Sequence, residues 1–386
     1  MQTFDAIVLG LGTMGAFTCL ELSQRGLQVA GIDRLSPPHS SGSHSGDTRV
    51  FRIAYAEHPD YVPLAQRAAS LWGEHGKTFN KTLLTQSGML SLGSPSGPLI
   101  SGITRSASFH RLDVESIPIR EIRTRFPSFE VPGHFTGVFE KDAGWLDVQA
   151  SIAGALSATK ANGATLLLNT PVSRWKRNGG RFIVETPDSV IEASNLVITA
   201  GAGAVSLLRE LRLPIVIWRK VLTWLEPRRP ELFSPDVFPV FAIDDEFFYG
   251  FPNIANQGVK VAVHWQKGIE VDDPLAPVPP ASESDYVPVL QTVNRYFPDL
   301  VEPLPEGLSR VRRGATCLYA MTPDEHFILD RHPFVENLWF AVGFSGHGFK
   351  FAPAIAEAVA QLVTEGRTGL STDFLRLGHR FPIVST

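Results

Sequence analysis

The stretch AIVLGLGTMG, residues 6–15, decides the fold. A short apolar run at 6–9 reads as a strand, and Gly10, Gly12 and Gly15 follow it in the spacing G-x-G-x-x-G. In such a turn the first glycine permits the tight bend. The second lets the backbone approach a pyrophosphate, and the third lets helix pack on strand. Apolar residues Phe17, Leu20 and Leu22 recur at helical spacing through 14–25, Gly26 stops the helix, and 27–32 reads as a second strand ending at Asp33. Strand, glycine turn, helix and strand within about 30 residues open a dinucleotide-binding βαβ unit. The helix N-terminus faces the phosphates, and Asp33 is suited to ribose hydroxyls. The glycine motif alone does not separate one dinucleotide from another.

Working outward, residues 37–49 are rich in Ser, Gly, Pro and His and read as an ordered loop or a lid. The spacing predicts a helix over 61–73, then mostly strands and turns to 144, and a helix over 148–161. A hairpin follows at 182–186 and 190–193, with a strand at 196–200. Residues 211–320 carry few helix signals, proline punctuation at 274–280, an aromatic strand at 247–251 and an alternating strand at 259–264. The last strand, 338–342, enters a glycine-rich string before a helix over 353–365. No internal repeat is apparent.

The chain has 386 residues, room for two or three domain-sized units, and its 44% hydrophobic and 19% charged residues fit an ordinary globular protein. A net charge of −4 argues against nucleic acid or an anionic membrane as the main partner. No apolar run is long enough to span a bilayer. The opening MQTFDAIVLGLG lacks the marks of a signal peptide and the closing FPIVST those of a peroxisomal or lipidation signal, so a cytoplasmic location is expected. Two cysteines, Cys19 and Cys317, exclude a disulfide framework and a cysteine zinc site. No metal is expected. Cys19 falls in the apolar helical pattern and reads as a buried small hydrophobe.

Four further strings are more specific: GSHSGDTRVFR (42–52), YGFP (249–252), DEHF (324–327) and GFSGHGFK (343–350). With them the chain resembles the monomeric sarcosine oxidase and N-methyltryptophan oxidase family of flavoproteins over essentially its whole length. The resemblance implies an α/β fold: an FAD-binding Rossmann-like domain of the glutathione-reductase type with a smaller, mainly antiparallel β-sheet domain for substrate. The FAD domain would comprise 1–80, 147–210 and 322–386, and the substrate domain 81–146 and 211–321.

The same resemblance assigns roles. Cys317, in RGATCLY (313–319), occupies the position that carries FAD through a thioether to the flavin 8α carbon. A thiol doing so should be partly accessible and easily ionised. Gly10, Gly12, Thr13, Met14 and Gly15 would hold the pyrophosphate, with Asp33 and Arg34 at the ribose. His44, Thr48, Arg49 and Val172 would complete the cofactor site with Gly346, Gly348 and Lys350. Arg52 and Lys350 would bind the substrate carboxylate; a guanidinium can do so through two parallel bonds. Lys260 would stand beside flavin N5 and promote the reaction with oxygen, a fixed positive charge stabilising the developing superoxide. Lys260 and His264, four apart in an alternating strand, should share a face. His264 and Tyr249 would line the substrate side of the ring, with Tyr319 in the pocket. The turn at 346–348 would point a helix N-terminus at the charge of reduced flavin.

The chain departs from the family pattern at Ser45, where a second histidine is common, and at Gly203, where a tryptophan is usual. The stretch 240–248 is short, with Ala242 near a position that often holds a bulkier residue. The implied reaction is oxidation of a secondary amino acid such as sarcosine by O2, giving H2O2, formaldehyde and the demethylated amino acid, in a monomer. N-methyltryptophan, pipecolate, proline or a fructosyl amino acid are alternative substrates. An NAD(P)-dependent dehydrogenase and a non-catalytic flavin-binding protein are the rival classes.

Overall fold

The structure, a computed structural model, describes residues 2–172 and 174–381; Met1, Ser173 and the end of the FPIVST segment lie outside the described residues. The opening strand Gln2–Leu9 sits at the centre of an eight-stranded sheet. It runs parallel to Val190–Ile198 on one side and to Val29–Ile32 on the other, with Leu9 opposite both Ile198 and Ile32. Alternate side chains serve opposite faces, as strand geometry requires. Ala6 and Val8 join the core beneath the helices Thr13–Gln24, Val148–Ala161 and Ala352–Glu365, while Ile7 and Leu9 pack with Phe182 and Phe340 on the other face. A strand buried on both sides reads as an unbroken apolar run, which is what 6–9 shows. Gly15 makes the packing possible: a Cβ there would stand 1.7 Å from the Gly10 carbonyl oxygen.

The second sheet has nine strands. Val216–Leu225 pairs along its length with Val311–Met321 and in part with Val259–Val263, which continues to Phe248–Asn253 and Val240–Ile243. Among the described strands of this sheet, only Val240–Ile243 with Met89–Gly93 is a parallel pair, so it is mainly antiparallel. One face is covered by a phenylalanine-rich core that includes Phe129, Phe238, Phe241 and Phe297. The other face lines the site. Strands of the first sheet fall within 1–80, 147–210 and 322–386, and those of the second within 81–146 and 211–321. A three-stranded sheet of Thr48–Phe51, Gly144–Asp147 and Leu84–Thr85 draws on both sets.

Three helices break the sequence expectation. Pro98–His110 and Ile119–Arg125 lie where strands and turns were predicted, and Glu283–Tyr296 lies in the stretch with few helix signals. The first hides its apolar face behind Ser and Gly. The third contains Pro288, yet it starts on a reciprocal capping box between Ser282 and Asp285. The helix expected at 61–73 continues to Phe79 and ends on Asn80 in the left-handed conformation.

Candidate active site

A cavity of about 460 Å³ runs from the glycine turn to the second sheet. Gly10, Gly12, Thr13 and Met14 line one end, with Asp33, Arg34 and Val172. Gly12 caps its helix without a side-chain bond and the first turn carries no acid, so the amides there are left for a ligand. Asp33 is held by two backbone amides, Leu11 at 2.7 Å and Leu35 at 2.8 Å. Arg34 reaches across to the Leu275 carbonyl at 2.9 Å. His44 is buried, accepts the His39 amide at 3.2 Å, and burial pushes its pKa down to about 3, so it is neutral. Gly203 borders the same cavity.

The far end is built by strand register. Antiparallel pairing sets Lys220 opposite Cys317, Trp224 opposite both Arg313 and Lys260, Ala262 opposite Tyr249, and Tyr249 opposite Ala242. These residues and their alternates, Tyr319 and Phe251, therefore share one face. His264 lies one residue past the end of its strand, its Nδ1 3.3 Å from the Tyr319 hydroxyl, so it does meet the residues of the Lys260 face. Burial holds its pKa well below the usual imidazole range. Lys260 donates to the Thr48 carbonyl at 2.7 Å and hydroxyl at 3.2 Å, and stands 4.6 Å from the Phe251 ring. Burial, with Arg49 nearby, pushes that ammonium far down as well. Arg49 is fixed by the carbonyls of Thr48, Ser43 and Ser45. The Ser45 hydroxyl is buried without a hydrogen-bond partner among the described residues.

Cys317 is 2% exposed. Burial raises its thiol pKa, opposed by Arg49, Lys260 and Lys220. The expected easy, partly accessible thiol is therefore a buried one surrounded by cations, because the sheet face that carries it is roofed by the rest of the site.

Arg52 is fully enclosed and is not free: Glu57 accepts from one of its terminal nitrogens at 2.6 and 2.8 Å. Burial alone would raise the Glu57 pKa, but Arg52 holds it down at about 2. The ring of Tyr55 lies 4.2 Å from the guanidinium, and its hydroxyl meets His347 Nδ1 at 2.5 Å. His347 Nε2 in turn meets the Glu325 carbonyl at 2.9 Å, which fixes the imidazole between two groups. Lys350 donates to the His347 carbonyl at 3.0 Å and the Tyr55 hydroxyl at 3.5 Å. Burial, with Arg52 beside it, lowers its pKa to about 7. Lys350 lies in a short 3-10 turn, Phe349–Phe351, that leads into the long helix Ala352–Glu365, which matches the helix expected at 353–365. Gly346 has φ +78, and a Cβ on it would stand 2.2 Å from the Tyr319 ring. A side chain there would have to push that ring aside.

Residues 5–362 match the family described as FAD dependent oxidoreductase. The chain belongs to that family. It is 36% identical over 375 residues to a monomeric sarcosine oxidase of Streptomyces avermitilis, covering 95% of each chain. It is 34% identical over 360 residues to an N-methyl-L-tryptophan oxidase of Salmonella typhimurium, covering 92% of this chain and 94% of the other. NikD, an amino acid oxidase of nikkomycin biosynthesis, shares the fold with a TM-score of 0.81 at 22% identity over 97% of this chain and 98% of that one. This FAD-dependent oxidoreductase thus carries the fold that its sequence strings implied, and the cavity fits an extended dinucleotide. Its amide-lined end suits a pyrophosphate, and its sheet-lined end suits a flat ring.

Sequence reasoning missed Tyr55, Glu57, Glu140 and Lys220. Tyr55 and Glu57 lie three and five residues after Arg52, and only the contacts of the guanidinium reveal them. Glu140 arrives from a distant strand: its buried carboxylate accepts the amides of Ile53 at 2.6 Å and Ala54 at 3.1 Å, fixing the backbone next to Arg52. Lys220 looked like any strand lysine. Only the alternation through Trp218, Lys220, Leu222 and Trp224 could have placed it on the apolar face.

Among the described residues no helix is long and apolar enough to cross a membrane, and no cluster of His, Cys, Asp or Glu is arranged to hold a metal.

Proposed function

We propose that the enzyme oxidises the C–N bond of a small N-methyl amino acid and passes the electrons to O2, giving H2O2, formaldehyde and the demethylated amino acid. One observation carries the reading: Tyr319 lines the cavity that starts at the glycine turn, and the sheet face that bears it also carries Cys317, Lys260 and Tyr249, while Arg52 and Lys350 are buried cations. FAD supplies the two-electron acceptor. Gly10 to Gly15, Asp33, Arg34, His44, Arg49 and Val172 would hold it, with Cys317 as the covalent anchor. Residues 1–80, 147–210 and 322–386 would form the FAD domain, and 81–146 with 211–321 the substrate domain.

Arg52 and Lys350 receive the substrate carboxylate. Arg52 has its charge already matched by Glu57, so the incoming carboxylate competes with a resident one. Lys350, poised near neutrality, gains its proton when that anion arrives. His264 is kept neutral by burial and cannot repel or protonate the amine, which must be neutral to give up hydride. Lys260 recovers its charge when an anion forms beside it, which suits a residue that assists oxygen reduction.

A larger N-methyl amino acid is the second reading. Ala242 faces Tyr249 and leaves that wall low, and a hollow of about 390 Å³ opens beside Glu57, bordered by Trp265 and His326. A peroxide-coupled screen of sarcosine, N-methyltryptophan, cyclic and glycated amino acids tests both readings. Formaldehyde equal to peroxide supports N-demethylation. Peroxide from none of these amines rejects the oxidase reading. The expected state is a cytoplasmic monomer acting on a small anionic amino acid.

A further inference from the structure

We propose that Lys220 activates Cys317 for its bond to the flavin, as the cross-strand cation that holds the sulfur in its thiolate form. The inference rests on the covalent reading above. Lys220 and Cys317 are direct partners in the antiparallel pair of Val216–Leu225 with Val311–Met321. Residues opposite one another stand on one face with Cβ atoms roughly 4.5–5.5 Å apart. Lys220 is buried, and its ammonium donates to the Gln266 carbonyl. Among the described residues it makes no ion pair, whereas Arg219, one position away on the opposite face, takes Asp285 at 2.9 Å. An enclosed cation without a counterion is costly, and a thiolate across the strand pair supplies one.

Other cations act on the sulfur too. Arg49 and Lys260 favour the thiolate more strongly than Lys220, and Arg219 less, but Arg49 and Lys260 are both tethered to the Thr48 carbonyl on a strand outside this sheet, whereas Lys220 is the cation paired with Cys317 across the strands. Tyr249 and Tyr319 are neutral phenols kept so by burial. Asp47 is engaged by Arg313, and Glu246 acts on Lys220 only at a distance. Burial lowers Lys220 to about 8 and raises the thiol, while across the strand pair each charged form favours the other. Thioether formation removes the thiol proton and one proton of the flavin 8α-methyl group and leaves two electrons on the ring. Oxygen, the acceptor in the proposed reaction, takes the two electrons and both protons as H2O2.

The test uses full-length protein made free of flavin, in the unmodified form and as Lys220→Met, Lys220→Gln and Lys220→Arg. The ultraviolet absorbance of the thiolate is titrated against a Cys317→Ser control, and acid-stable flavin is followed after adding FAD in air. Lys220→Met and Lys220→Gln should ionise the thiol at least one pH unit later, a tenfold smaller thiolate fraction. The higher-pKa thiolate is a better nucleophile, so attachment should slow by about three- to tenfold at neutral pH and recover as pH is raised. Lys220→Arg should attach at nearly the unmodified rate. Equal thiol titration and equal attachment in Lys220→Met and Lys220→Gln would overturn the role of Lys220 and leave the covalent reading standing. Acid-stable flavin missing from the unmodified protein would overturn both. Slow attachment that higher pH does not restore, in Met and Gln alike, marks a packing defect and also overturns the proposal.

Discussion

Arg52 is already paired with Glu57, and under the proposed carboxylate role that shapes what its replacement should do. A charged hydrogen bond contributes about 1.5–3 kcal/mol, so Arg52→Ala should raise KM for an amino-acid substrate by roughly 10- to 100-fold, with kcat less affected. Steady-state kinetics that leave KM unchanged would remove Arg52 from the carboxylate site. Glu57→Gln takes away the resident competitor and should tighten binding of acetate, read as a shift in the flavin spectrum. Lys350 gives the pH dependence. Its pKa of about 7 in the free site means that it is charged below neutrality and neutral above. A bound carboxylate favours the charged form and raises that pKa, so acetate should bind progressively more weakly as pH rises through about 7. Acetate has no amine to titrate, which keeps the profile clean, and Lys350→Met should flatten it. Lys260→Met should leave anaerobic reduction by substrate nearly intact and slow reoxidation by O2 on the order of 100-fold or more, measured by stopped flow.

At the scale of elements, the glycine string before the last helix offers a paired test. Gly346 combines positive φ with the Tyr319 ring 2.2 Å from where a Cβ would stand, whereas Gly366 has φ +72 and open space. Gly366→Ala should lose only the conformational allowance, about 1 kcal/mol. Gly346→Ala should lose more and release flavin or displace Tyr319, seen by thermal unfolding and by cofactor content. Similar losses in the two would separate Gly346 from the site. The strand, glycine turn and helix at 2–24 were legible because propensity, burial and turn chemistry agree there. The helix Pro98–His110 was not, since its apolar residues alternate with Ser, Thr and Gly that favour turns in isolation, and tertiary packing overrides them. Glu283–Tyr296 was masked by Pro288, which lies inside the helix and lacks the amide that would bond four residues back.

For the whole molecule, the site exists because two sheets meet. One brings the glycine turn and Asp33, and the other brings Cys317, Lys260, Tyr249 and Tyr319 from strands widely separated in sequence. Motif strings singled out Arg49, Arg52 and Lys350 because each belongs to a short continuous stretch of sequence. They were silent on Lys220, Glu57 and Glu140, whose roles arise from register or from partners that no local pattern encodes. Even for residues named in advance the surroundings differ from expectation. Cys317 is buried rather than accessible, and Arg52, assigned to a substrate carboxylate, already has that of Glu57. Both differences follow from enclosing a polar site between packed faces, where burial opposes charge and each cation is held by whatever oxygen lies nearest. The central claim is that this enclosure holds a flavin against the sulfur of Cys317. It is tested most directly by acid-precipitating purified holoprotein, digesting it, and measuring the mass of the peptide that contains Cys317. A yellow, acid-stable peptide heavier by one flavin nucleotide is the predicted result; a colourless, unmodified peptide from a protein without bound flavin would contradict the account.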